Sequence, residues 1–391
     1  MNKIVVLIIA LLFSVALNAQ KDPIRFQDAS GKYGLKDGKG NIILPAEYDQ
    51  INSFLEGKAA IKKNSKWGFT DRTGTVIIQL LYDGTGGFFE ELASVSYKNK
   101  WGFIDGSGKT IIPFSYDNVR WFSNGKAAVS QGEKWSGEWW WYIDKSNKMV
   151  GTAYFYSVSD EFHDDVALVS LKSRFGYIDN TGKEILALTN YGGKDFSEGL
   201  GAVNVTGDWG FINKTGNFEI PATFSDVRSF KDGVAAVKKQ YKWNYIDKTG
   251  KNISGEAYDA VKEFSEGLAA VKLYSRWGFI NKIGAKIIAP KFMDVRSFKE
   301  GAAAVKEVSR WGYIDTAGAV LVSTQTYDEA NDFSGGLAAV KLNNKWGFID
   351  KTGVMVIPAT YISVENFYLG KAWVRTNGKA HFIDKKGVAI E

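Results

Sequence analysis

The sequence predicts an all-β fold, a tandem array of about eleven three-stranded antiparallel meanders, and three observations predict it. The stretch Lys345-Trp346-Gly347-Phe348-Ile349-Asp350-Lys351-Thr352-Gly353 recurs from one end of the chain to the other. The Trp346 position is held earlier by Tyr33, Trp67, Trp101, Trp140, Phe175, Trp209, Trp243, Trp277 and Trp311, and later by Ala380, at steps of 34 to 39 residues. A fixed period of this size marks a repeat architecture, in which each unit packs on its neighbours. The second observation is a turn. Asp or Asn stands four residues after the Trp position and Gly three residues later, as in Asp71 and Gly74, and this pairing is hairpin chemistry. Asn147 alone replaces that Gly, and it is the next best residue for positive φ. The third is the pair of strand-like runs around the turn, such as Trp67-Gly68-Phe69 before it and Val76-Ile77-Ile78 after it.

A further strand precedes each Trp, written Leu268-Ala269-Ala270-Val271-Lys272 in one copy and Leu337-Ala338-Ala339-Val340-Lys341 in another. Its small Ala side chains suit the close approach of a neighbouring layer. The Gly after Trp leaves room for a ring or a backbone to cross it. Between meanders runs a connection of about a dozen residues, near the upper end of ordinary loop lengths. It carries aromatics at fixed offsets, such as Tyr258 and Phe264 or Phe292 and Phe298, so it is expected to be packed against the meanders. Eleven units of three strands fit poorly with ring-closed propellers of about 4 to 8 four-stranded blades. An open, curved or superhelical array is therefore expected, with a closed propeller-like ring as the alternative.

Composition limits the function. The charge of +6 on 391 residues is spread through the repeats and leaves no basic patch of the nucleic-acid-binding kind. With no Cys there are no disulfides, so stability rests on packing. The N-terminus is distinct. Met1-Asn2-Lys3 is followed by an apolar run from Ile4 to Leu17, interrupted by Ser14, with Ala16 and Ala19 near its end. This reads as a secretory signal peptide over residues 1–19, with the repeat array over 20–391. The run is shorter than the about 20 residues that span a bilayer. Export to the periplasm or medium, without a stable membrane span, is the expectation.

Candidate chemistry is sparse. The Asp column could supply oxygen ligands, but the turn role accounts for both its Asp/Asn identity and its paired Gly. The segment Asp160-Glu161-Phe162-His163-Asp164-Asp165 is the densest acidic cluster. Asp160, His163, Asp164 and Asp165 are candidate metal ligands there, against the reading of a solvated variant loop. His381 stands at the Gly position of the last copy, as a terminal repeat allows. No nucleophile elbow or His-Glu-x-x-His motif is present, and no cofactor is implied. The chain is expected not to be an enzyme; a hydrolase using two carboxylates is the remaining catalytic alternative.

The sharpest irregularity is Lys134-Trp135-Ser136-Gly137-Glu138-Trp139-Trp140-Trp141-Tyr142, which produces the 39-residue step and lets Trp135 compete with Trp140 for the repeat position. Insertions in repeats often mark the binding face. Trp135, Trp139, Trp141 and Tyr142, with Trp121, are the candidate binding residues, able to stack on sugars or to anchor a protein contact. The competing expectation is that the extra rings fold back onto adjacent units.

The motif Lys-Trp-Gly-Phe-Ile-Asp-x-Thr-Gly, with Tyr-Asp-x-Val and Phe-Ser-Glu-Gly-Leu-Ala-Ala-Val downstream, resembles the WG-repeat family of bacterial exported proteins over roughly residues 24 to 391. The resemblance supplies no shared catalytic residues. It implies a scaffold or binding role. With the residue pattern, the expectation is a scaffold that binds a protein partner in the envelope or outside the cell, with cell-wall glycan binding through the Trp-rich hairpin 134–142 as the alternative.

Overall fold

The structure, a computed structural model, describes residues 22–132 and 139–390, apart from the side chains of 188–190. The expected signal segment 1–19 lies outside the described residues. All regular structure in the described residues is β, arranged as eleven small antiparallel sheets that follow one another in chain order. The chain divides into two compact units, Met1–Tyr82 with sheets 1 and 2, and Asp83–Glu391 with sheets 3 to 11.

Sheet 8 represents the rest. Its strands are Ala260–Val261, Leu268–Leu273, Arg276–Asn281 and Lys286–Phe292, each hydrogen-bonded to the next. The last three are the meander expected from the sequence. The first is an addition: two residues of the connection pair with the Ala-Ala-Val strand, Ala260 opposite Lys272 and Val261 opposite Val271. The unit is thereby a four-stranded meander of the kind that forms a propeller blade. Sheet 1 has three strands, and the last segment of sheet 7 pairs only through the bridges Trp243–Tyr258 and Ile246–Asn252.

Sheet 8 buries both faces, and alternation along its strands decides which side chain goes where. Leu268, Ala270, Phe279, Ile288 and Phe292 of sheet 8 share one apolar cluster with Ala303, Val305 and Ile314 of sheet 9. Ala269, Val271 and Ile280 point the other way, into a cluster with Ala236 and Tyr245 of sheet 7. Two residues of the connection, Val295 and Phe298, close the first cluster. The Phe of the connection meets the aromatic two places after the Trp position, as in Phe103–Phe122, Phe211–Phe230, Phe279–Phe298 and Phe348–Phe367. Eight such pairs run through sheets 3 to 11, with centroids 4.6 to 5.2 Å apart and planes 52 to 84° apart. Such pairs add about 0.5–1.5 kcal/mol beyond the area they bury.

The Gly after Trp is required by backbone. A Cβ on Gly278 would lie 2.4 Å from the Ile288 carbonyl oxygen, because the outer strand crosses directly over it where the register shifts. The exceptions obey the same rule. Trp141 stands at this position opposite a strand that carries Gly151 at φ +77°, and Asn244 opposite the irregular segment containing Gly255 at φ +70°. At His381 the described residues pair the last strand with Phe382 and Ile383 only.

The Asp column caps turns. Asp247 Oδ1 accepts from the Thr249 hydroxyl at 2.6 Å and from the backbone N–H groups of Thr249 and Lys251 at 2.9 and 3.1 Å. Asn213 and Asn281 accept from the corresponding two backbone N–H groups with a neutral oxygen, so geometry rather than charge is what the turn uses. The Phe-Ser-Glu-Gly segment is a second turn, and it links one copy to the next. Ser265 Oγ donates to the Phe298 carbonyl at 2.7 Å, while the Glu266 carboxylate accepts from the N–H groups of Glu300 and Gly301 at 2.6 and 2.8 Å. Glu300 then does the same for Gly335 and Gly336.

Two outcomes are expected. Gly278→Ala should cost about 1–3 kcal/mol of unfolding free energy, because a backbone strand must move, and a urea midpoint unchanged from wild type would contradict the assignment. The turn hydroxyls of Ser107, Thr249 and Thr352, followed by backbone N–H groups, hold the carboxyls of Asp105, Asp247 and Asp350 below their usual range. A depressed native pKa lends stability above the unfolded value of about 3.9 and loses it as pH falls through the native one. Urea midpoints should therefore drop below about pH 4, and less so once these three Asp are replaced by Asn.

Candidate functional site

The Trp-rich strand fixes the repeat position of sheet 4. Ser130 pairs with Trp140, the place at which Lys272 pairs with Trp277, so Trp140 and not Trp135 occupies the column. Trp135 lies outside the described residues. Trp140 and Tyr142 face sheet 5 and join its core. Tyr142 is 1% exposed, and its hydroxyl donates to the Ser159 carbonyl at 2.6 Å. Burial drives the pKa of that phenol strongly upward. Tyr142 is thus a core residue that offers no stacking face.

Trp139 and Trp141 are half-buried. Trp139 stacks on Tyr156 with centroids 4.6 Å apart, and Trp141 meets Tyr116 and Tyr154 edge-on at 5.8 and 5.2 Å. Trp121 is 36% exposed and stacked on Phe89 at 5.5 Å. It belongs to the connection, apart from the other three. The extra rings therefore engage neighbouring aromatics, and Trp139 and Trp141 keep part of their surface open.

The acidic cluster is divided among separate partners. Asp160 pairs with Arg120 at 2.8 Å and Asp165 with Lys214 at 3.6 Å. Asp164 accepts from the Gly199 N–H at 2.6 Å, the turn-linking role that Glu266 plays elsewhere. His163 lies 3.9 Å from Asp195. No group of three His, Cys, Asp or Glu suited to a metal occurs among the described residues.

The column Trp is explained by its neighbours. In sheets 7 and 8 each indole is approached by two cations: Arg228 and Lys238 over Trp243 at 5.4 and 5.7 Å, Lys262 and Lys272 over Trp277 at 5.3 and 5.8 Å. Such contacts favour the electron-rich indole over the other aromatic rings.

A surface not singled out in the sequence lies at the end of the sheets where the Ala-Ala-Val strand turns into the Trp strand. Tyr241 and Tyr274 sit on the tips of these turns in sheets 7 and 8, 88% and 85% exposed, with φ of +68° and +46°. The corresponding tips carry Asn343 and Asn344 in sheet 10 and Asn64 and Ser65 in sheet 2, at nearly the same φ values. Asn adopts that conformation readily, whereas a bulky aromatic does so at a cost. Tyr97, Tyr154 and Tyr191 are exposed at the same end of sheets 3, 4 and 5, with Lys98 over Tyr97 at 5.3 Å and Arg174 over Tyr191 at 5.0 Å. The signal was available by comparing copies: Tyr stands where other tips have Asn, Ser or Lys.

The WG containing repeat family model matches residues 33–67, 67–101, 101–135, 175–207, 209–243, 245–276, 277–307, 311–346 and 346–379, and the chain belongs to that family. The stretch between 135 and 175, which holds the irregular Trp-rich copy, is unmatched. No curated protein matches the sequence. Among solved structures the chain is similar to a eukaryotic initiation factor, at 10% identity over 86% of this chain and 96% of that one, with a TM-score of 0.45. It is also similar to the extracellular domain of a putative hybrid two-component system from B. thetaiotaomicron, at 10% identity over 93% and 69% of the two chains, with a TM-score of 0.25.

Replacing Tyr241 and Tyr274 by Asn should leave stability unchanged or raise it by roughly 1 kcal/mol in all, since the tips then carry a residue at ease with positive φ. Thermal or urea unfolding checks this, and a clear destabilisation would mean that the rings support the fold.

Proposed function

We propose that this chain is an exported, non-catalytic repeat scaffold that holds a protein partner on the aromatic end of its sheets. The observation that carries the reading is the placement of Tyr241 and Tyr274. Each ring is almost wholly in water and adopts a backbone conformation unfavourable to it, so neither is explained by folding. Tyr and Arg are enriched at the centres of protein interfaces, where Tyr gives a large contact at small entropic cost. Arg174 beside Tyr191 and the exposed Tyr154 extend the same chemistry to neighbouring sheets. The apolar run Ile4 to Leu17 supports export. The bacterial envelope or the space outside the cell is the setting in which the partner is sought.

A second reading is favoured by the stacked pair Trp139–Tyr156 and by Trp121. Half-open indoles suit the faces of sugar rings, and the ligand would then be a cell-wall glycan. The two readings separate in one experiment. The purified chain lacking residues 1–19 is applied to an isolated bacterial envelope fraction. Retention should be lost after protease treatment of the fraction, and weakened about ten-fold or more by Y241N/Y274N, the size expected of interface anchors. Retention that survives protease, but is abolished by glycan hydrolases and by W121A/W139A, would transfer the function to glycan binding.

A further inference from the structure

A second feature lies along the edge of sheets 6 to 9, where the short first strands leave the connection. Lys194, Arg228, Lys262 and Arg296 stand at the same position of four successive copies. Each donates to a carbonyl of the next connection: Lys194 to Val227, Arg228 to Val261 at 3.2 Å, Lys262 to Val295 at 2.6 Å and Arg296 to Ala330 at 2.7 Å. The four cations are thereby held in a row, one per sheet, at fixed places. Cavities of about 290 and 640 Å³ open along this row, lined by these side chains together with Lys231, Lys299, Glu263 and Asp332.

Lys231 and Lys299 are the residues that the fold does not explain. Three places after the row position, which Asn331 holds in the next copy, Ser197, Ser265 and Ser334 donate to the carbonyls of Phe230, Phe298 and Phe367 at 2.6, 2.7 and 2.5 Å, tying one copy to the next. In the two intervening copies this Ser is replaced by Lys231 and Lys299. Each replacement gives up a linking hydrogen bond and adds a positive charge facing the same groove. Lys231 lies 3.8 Å from Glu263, with both side chains open to solvent. The Lys299 ammonium makes no hydrogen bond or ion pair among the described residues. Burial lowers the pKa of Lys262, as expected where cations crowd a partly dry site, and raises that of Asp332.

We propose that this row is a docking groove for an extended, acidic polypeptide segment, separate from the aromatic end of the sheets. The lining carries six cations, Lys194, Arg228, Lys231, Lys262, Arg296 and Lys299, against the carboxylates of Glu263 and Asp332. The excess is complementary to carboxylates. The mixed lining favours a peptide over a uniform polyanion. Glu263 and Asp332 repel a continuous negative charge, and the solvent-open Glu263 carboxylate can accept from a peptide's backbone N–H groups. Spacing agrees as well. Stacked sheets lie about 10 Å apart and an extended chain advances about 3.1–3.4 Å per residue, so an acid at every third residue meets one sheet after another.

The test uses a fluorescein-labelled twelve-residue peptide with Glu at every third position and Gly and Ser between, a Gln-for-Glu control, and inorganic polyphosphate as competitor. Wild-type chain should bind the Glu peptide in fluorescence anisotropy, bind the Gln control at least about ten-fold more weakly, and weaken as salt screens the charges. The double variant Lys231→Ser, Lys299→Ser restores the linking residue of the other copies. It should fold with an unchanged or higher unfolding midpoint while losing about ten-fold or more in affinity. Equal affinity for the Glu and Gln peptides, or unchanged affinity in the folded double variant, would overturn the proposal. So would polyphosphate binding in the absence of peptide binding. Because Tyr241 and Tyr274 are untouched, failure here is distinct from failure of the envelope-retention test.

Discussion

No sheet of this protein can bury its own apolar side chains, and that constraint organises everything else. Phe279, Ile288 and Phe292 of sheet 8 have no cover within their own sheet; Ala303, Val305 and Ile314 of sheet 9 supply it. The close approach depends on Ala, since a larger residue at Ala303 or Ala304 would hold the layers apart. The edge-on pair of Phe279 and Phe298 then fastens the connection over the seam. Deleting either ring would open a cavity of a kind that costs about 3–5 kcal/mol. Stability in such a chain is close to a sum over neighbouring interfaces, each local in sequence.

The same arrangement consumes most of the polar chemistry. Asp247 and its equivalents cap hairpins, Glu266 and Glu300 hold the backbone of the following turn, and the tyrosines at 142, 177, 245 and 313 reach carbonyls of the next connection. A reader of the sequence meets these as carboxylates and phenols at regular spacing and is tempted by ligands or catalysis. Their hydrogen bonds place them in the framework instead. What distinguishes one copy from another, and therefore one binding surface from another, is the minority of positions that break the framework's rules: Tyr at a tip that suits Asn, Lys where Ser ties the copies, Trp141 where Gly should be.

Much of the fold was legible because the repeat states it eleven times. The Trp column, the Asp–Gly turn with Asn147 at φ +64°, and the Gly beneath a crossing backbone all followed from residue type and spacing. The fourth strand did not. Pairs such as Ala260–Val261 and Asp294–Val295 are two residues long, too short for any periodicity to register. The Phe-Ser-Glu-Gly turn was also hidden, because Glu198, Glu266 and Glu300 take positive φ, where sequence rules expect Gly or Asn. The link that each carboxylate makes to the next copy holds it there, and that link is a contact across about 34 residues. Of the candidate site, the insertion at 134–142 drew the eye by its Trp content, but which rings were buried depended on register. Trp140 and Tyr142 share one face of the strand and Trp141 the other, and a one-residue slip would have exchanged them.

The central claim is that neighbouring sheets are stabilised as pairs through the seam between them. Native-state hydrogen exchange on Phe298→Ala addresses it most directly. The account predicts that amides of Leu268–Leu273 in sheet 8 and Ala302–Lys306 in sheet 9 lose protection together, while those of Lys126–Gln131 in sheet 4 keep theirs. Loss confined to the connection around residue 298, with both sheets as protected as before, would contradict it.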